Sequence, residues 1–251
     1  CIRDRVSIIR CFQAERIKCR HTPFLAVHLL FPVLGAAVFA GYFRISGWDK
    51  LTDIAAFLET AAIAHPFLIG IISGIAVQME NTAGHFQILL GTIPSRSGAY
   101  IGKCCYLIMW CAISTALGIL LFAIFYPAVL PVFYIKPFIM LTLSAIPLYL
   151  ISLNAGLFLG KTGAMGIGIA GSLLTALCAT GLGDFVWKFL PWGWGIRFAE
   201  YCVLEWVSPE RFNRAFHELE TGLFIMMFFT LLLFIGSLWW FKRWEGTKEN
   251  E

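Results

Sequence analysis

Six stretches of this chain are apolar over close to the length that crosses bilayer hydrocarbon, about 20 residues. They cover residues 23–43, 54–79, 101–125, 137–159, 163–182 and 221–241. That pattern predicts an all-α polytopic membrane protein with six transmembrane helices in one domain, residues 1–251. Composition excludes a single water-soluble core. Charged residues make up 14% of the chain and hydrophobic residues 59%, against about 25% charged in an ordinary soluble domain. Pro66 predicts a kink in the second span. Only Gly160, Lys161 and Thr162 separate the fourth and fifth spans, which predicts a tight antiparallel hairpin.

Basic residues set the expected orientation. With the N-terminus in the cytoplasm, twelve of the nineteen Lys and Arg residues fall inside and seven outside. Both termini and residues 80–103 are then cytoplasmic. The net charge of +4 is small and forms no accessible basic face, so nucleic acid is not expected as a partner. The first twenty residues are basic and mixed, without the long apolar core of a cleavable signal peptide. Ile2, Val6, Ile9 and Phe12 trace an approximate apolar stripe. Residues 1–22 therefore read as a helix lying on the inner leaflet and attracting anionic membrane lipid.

Residues 80–103 read ENTAGHFQILLGTIPSRSGAYIGK. Met79, Ala83, Phe86 and Leu90 fall on one helical face, while Glu80, Asn81, His85 and Gln87 lie elsewhere. Pro94, Ser95 and Arg96 break the helix, and Lys103 opens the next apolar run. A polar-faced elbow between two spans is a surface on which a soluble partner can push; an ordinary interfacial connector reads the same way. Residues 183–220 are rich in aromatics and read as a re-entrant or interfacial element on the outer face. Pro191, Gly193 and Gly195 are expected to prevent one continuous helix there. A separate polar helix is expected over 209–220, capped by Ser208, with Pro209 in its first position.

Several apparent motifs lack the context their chemistry needs. Residues 155–162 satisfy a relaxed phosphate-loop pattern but form the apolar end of a membrane helix, with no preceding strand. Gly166, Gly168 and Gly171 spell G-x-G-x-x-G inside another apolar run. Together with Gly70, Gly74, Gly156 and Gly160, they read as sites where helices pack closely. The five histidines and eight cysteines show no metal-ligand spacing. Glu59, His65 and Asn154 are the polar intramembrane residues of interest; Glu59 is expected near the outer boundary. They form no known motif, so a membrane-embedded enzyme is the weakest reading.

Three stretches carry a family resemblance: AERIKCRHTPFLAVHLLFPVLGA at 14–36, the elbow pattern EN-x-x-GHFQILL…PSR…Y-x-x-K, and GIGIAGSLLTALCATGLGDFVW…PWGWGIRF in the late run. Together they resemble permease subunits of lantibiotic-protection (immunity) ABC transporters, the MutG-like branch of the six-span ABC-2 permeases, over about residues 14–241. The resemblance implies a transport subunit in the plasma membrane of a Gram-positive bacterium, assembled with a sister permease or a second copy of itself. It implies a cytoplasmic ABC ATPase that binds ATP and magnesium, so this chain is expected to need no cofactor and to perform no catalysis. The cargo implied is a lantibiotic peptide, expelled for self-protection. Glu80, Gly84, His85, Phe86, Gln87, Pro94, Arg96, Tyr100 and Lys103 match the pattern of the ATPase-coupling elbow. Trp187, Trp192, Trp194, Glu200 and Glu205 offer an outer-face contact for a cationic amphipathic peptide, or a plain aromatic belt with surface acids. An ABC-2 permease for another amphiphile, such as a different antibiotic or a lipid-linked glycan, is the alternative.

Overall fold

The computed structural model describes residues 2–20, 22–84, 86 and 96–244, which are almost wholly helical and contain no strand. The helices are α1 (Ile2–Cys19), α2 (Phe24–Ser46), α3 (Lys50–Thr82), α4 (Arg96–Phe125), α5 (Ile135–Cys178), α6 (Pro191–Val207) and α7 (Pro209–Arg243). Short 3-10 turns occupy Pro131–Tyr134, Gly181–Gly183 and Trp187–Phe189. Five of the helices, α2, α3, α4, α5 and α7, are long and apolar enough to cross a membrane.

α5 counts twice. At Gly160 the backbone leaves the helix (φ 75°, ψ −174°), a conformation only glycine adopts without a Cβ penalty. Before that point the chain follows α3 in the same direction: Ser144 and Ala62 both border Gly195, and Val77 borders Gly156. After it the chain returns, with Lys161 beside Gly74, Gly168 against Gly70 and Ser172 Oγ donating to the Ile63 carbonyl at 2.6 Å. The hairpin expected at 160–162 is thus present, and six apolar arms make up the bundle. Gly160 itself is the turn, not a packing site.

α3 is the central member. Asp49 caps it by accepting from the Leu51 amide at 3.1 Å, and Gly47 (φ 72°) ends α2 in left-handed geometry just before. Pro66, where the sequence predicts a kink, lies inside α3 without ending it. A Cβ on Gly70 would lie 2.7 Å from Gly168 Cα, and one on Gly168 would lie 2.8 Å from Gly70 Cα; here two backbones touch, as small residues allow. Gly74, Gly156 and Gly171 also sit at close contacts, with Lys161, Val77 and Trp192. Gly166 faces open space. Two residues from Gly168, it is turned roughly 200° around the helix, so its expected packing role fails.

The core falls into two clusters stacked along the bundle. One gathers Phe24, Ile69, Tyr100, Leu107, Tyr149 and Phe241 near the elbow face. The other gathers Ile54, Phe57, Phe122, Trp187, Trp194 and Phe198 toward the far face. At the far face Tyr126 OH donates to the buried Asp53 at 2.6 Å.

Near the end of the chain residues 183–220 do not form one continuous helix, being interrupted at Leu190 and Ser208, but two details differ from the sequence reading. Gly193 and Gly195 lie within α6, not at breaks. Proline suits a first helical position, and the glycines are there because a Cβ would press on Trp187 and Cys178 or on Ser144. α6 starts deep, with Trp192 beside Gly171, and rises to end with Glu205 beside Lys136. The polar segment 209–220 is not a separate helix. It forms the first turns of α7, and Ser208, at the cap position, makes no side-chain cap bond.

Candidate functional site

α1 lies across the elbow face. Its inward residues are Cys11, Phe12, Glu15 and Cys19, while Ile9 is 58% exposed and turned away. Of the apolar stripe read from the sequence, Phe12 packs inward while Ile9 faces out; the side chains of Ile2 and Val6 lie outside the described residues. The contact is close because α4 presents Gly102, where a Cβ would sit 2.7 Å from Cys11 Cβ. Phe12 meets Tyr106 edge to face at 5.3 Å.

Among the described residues, four charges converge beneath this helix. Lys103 Nζ lies 2.5 Å from Glu15 Oε2 and 2.8 Å from Glu80 Oε1. Lys18 Nζ lies 2.6 Å from the same Glu80 oxygen and 3.1 Å from Glu15 Oε1. Glu80 and Lys103 are each 2% exposed. Two carboxylates and two ammonium groups balance, which is what makes burying them tolerable. The sequence reading set Glu80 and Lys103 in an elbow on which a soluble partner can push. They face inward instead, because the arm supplies their partners. Glu15 and Lys18 escaped the sequence reading; an i, i+3 pair inside a basic amphipathic arm looks like surface decoration.

The elbow leaves α3 abruptly. The helix ends at Thr82, short of the helical stripe expected through Phe86. Gly84 (φ 116°) and Phe86 (φ 64°) both take positive φ, which is unusual for a bulky side chain. Phe86 is buried and meets Trp244 edge to face at 5.0 Å, which compensates for that backbone. His85, Gln87, Leu90 and Pro94 lie outside the described residues. Where the chain re-enters the helical bundle, Arg96 donates to the carbonyls of Lys242 and Trp244, each at 3.2 Å, as a cation does at a helix C-terminus. Tyr100 is buried and donates to Asn154 Oδ1 at 2.9 Å, while Asn154 Nδ2 donates to Ser237 at 2.6 Å. α1, α3, α4, α5 and α7 are thereby joined at one face by polar contacts.

The far-face candidates disperse. Trp187 and Trp194 are fully buried. Trp187 fills the space over Gly222, and Trp194 Nε1 donates to the Lys188 carbonyl at 2.9 Å. They are core residues, not an outer contact surface: Trp187 lies in the 3-10 turn that precedes α6, and Trp194 lies in the deep first turns of α6. Trp192 packs over Gly171. Glu205 pairs with Lys136 at 2.5 Å. Arg197 ties Glu200 at 3.2 Å to Asp184 at 2.5 Å. Burial pushes the Glu200 carboxyl up to about 7; Arg197 opposes this and the nearby Glu59 carboxylate adds to it.

His65 bonds Thr115 at 3.2 Å, while Asn154 belongs to the Tyr100–Ser237 group, so Glu59, His65 and Asn154 form no single constellation. Among the described residues no three His, Cys, Asp or Glu side chains gather as a metal site.

Residues 11–159 match the model of the family described as ABC-2 family transporter protein. No curated protein and no solved structure matches the chain.

Proposed function

The chain belongs to the ABC-2 family of transporter proteins, a membrane transport component and not a catalytic enzyme, and from that premise we propose that it is the permease subunit of an exporter that expels a lantibiotic-type peptide. Membership implies an ABC ATPase partner. In this reading the ATPase docks on the elbow face, cytoplasmic together with both termini, and supplies the ATP and magnesium. A sister permease or a second copy completes the pore.

One observation carries the coupling. The Glu15–Lys18–Glu80–Lys103 cluster ties the surface helix α1 to the ends of α3 and α4. ATP can drive transport only if the motor favours one permease conformation over another. A motor that displaces α1 or the elbow acts on two spans at once through bonds of low exposure, which salt screens little. The lantibiotic cargo is supported by the resemblance of the 14–36 and 166–198 stretches to lantibiotic-protection permeases.

Two measurements test this. Deleting the chain in a producing strain with its ATPase intact should raise sensitivity to the strain's own lantibiotic; unchanged sensitivity removes that cargo. A cysteine replacing the exposed Ala83 (Ala83→Cys) should crosslink to the co-expressed ATPase. Labelling of that cysteine from outside intact cells would place the elbow on the wrong side and defeat the docking.

A further inference from the structure

A cavity of about 370 Å³ lies between α2, α3 and α4, within the usual size of small-ligand pockets. Its lining is drawn from within residues 31–39, 57–68 and 114–119, so it is an upright slot roughly two to three helical turns tall. Small residues keep it open. A Cβ on Gly35 would meet nothing within 4 Å, and Ala61 and Ala64 contribute only methyl groups to the wall. Leu34 and Val38, on the same wall, are mostly exposed, so the slot adjoins the hydrocarbon side of α2.

One polar pair interrupts the apolar lining. His65 and Thr115 both face the slot and bond each other through Nε2 at 3.2 Å. The other ring nitrogen of His65 has no hydrogen-bond partner among the described residues. His65 lies close to the midpoint of α3, hence near mid-depth of the bilayer. A hydrogen-bonding group open to an apolar slot at that depth is costly unless something binds it. Bilayer lipids hold their polar groups at the surface. Backbone amides carried to mid-depth by an inserted polypeptide, by contrast, need partners there.

We propose that this slot binds an apolar limb of a membrane-inserted amphipathic peptide, with His65 hydrogen-bonding one of the peptide's backbone amides. The proposal rests on the exporter reading and gives its cargo a place to leave the bilayer beside α2.

The test uses the full chain in lipid nanodiscs, without ATPase or ATP. Two photoreactive probes are compared: an amphipathic peptide carrying photo-leucine, and a phosphatidylcholine with a photoreactive acyl chain. The peptide probe should label residues 57–68 of the wild type. Gly35→Phe and Ala61→Leu, which fill the slot, should each cut that labelling about tenfold, while Gly35→Ala retains it. His65→Leu, which removes the hydrogen bond, should cut it several-fold. Peptide labelling that survives both filling substitutions overturns the proposal. So does a lipid probe that labels the slot as strongly as the peptide and ignores His65→Leu, because the occupant is then an acyl chain. Since no motor is present, labelling that succeeds while lantibiotic sensitivity stays unchanged on deletion leaves the slot standing and removes only the lantibiotic. The reverse result removes the slot alone.

Discussion

At residue scale, Lys103 carries the greatest electrostatic load. It serves two carboxylates and has almost no water of its own. Among the described residues, Lys103→Met leaves Glu15 and Glu80 with only Lys18 between them. Breaking a buried ion pair from one side costs about 3–5 kcal/mol, so unfolding in detergent should show a loss of that order, with Lys103→Arg much milder. A loss below about 1 kcal/mol would class the cluster with exposed pairs. Glu200 predicts a pH dependence. Its carboxyl is raised from the ordinary value near 4.5 to about 7 in the folded chain. Between those values the folded state holds a proton that the unfolded state releases, so stability falls as pH rises through the window. Glu200→Gln should flatten the stability profile there; an unchanged slope would assign it to another group.

At element scale, the α3–α5 contact depends on two glycines. Gly70→Leu or Gly168→Leu must force the backbones apart, at about 1–3 kcal/mol or more, whereas Gly166→Ala should cost nothing measurable. Thermal unfolding of the three variants separates these outcomes, and equal losses would mean that the glycines act through chain flexibility. The elements show what the sequence can tell and where it stops. Long apolar runs and a three-residue gap were enough for six arms and the Gly160 hairpin, because spanning length and glycine geometry are local constraints. The interior of α6 was not legible. Pro191, Gly193 and Gly195 are helix breakers by intrinsic propensity, and only the crowding by Trp187, Cys178 and Ser144 makes glycine the residue that fits. The same holds for the site. Elbow residues could be located, but the inward turn of Glu80 and Lys103 depends on Glu15 and Lys18, which are distant in the chain.

At the scale of the whole molecule, α1 is a strap. It contributes little apolar core but closes the ion cluster and covers Gly102. Deleting residues 1–20 leaves Lys103 paired with Glu80, so the spans should still insert. The strap's hold on α3 and α4 is lost, and protection against the cargo should fall while the membrane-fraction yield persists. Yield and protection falling together would make α1 a folding element; both persisting would make it dispensable.

One unbroken helix, α3, reaches from the Asp49 cap and the Asp53–Tyr126 bond at one surface to the ion cluster at the other. Its 33 residues span about 50 Å at 1.5 Å per residue. A helix of that length joins the two surfaces directly. A tilt of a few degrees at the charged end would become a displacement of ångströms at the opposite surface.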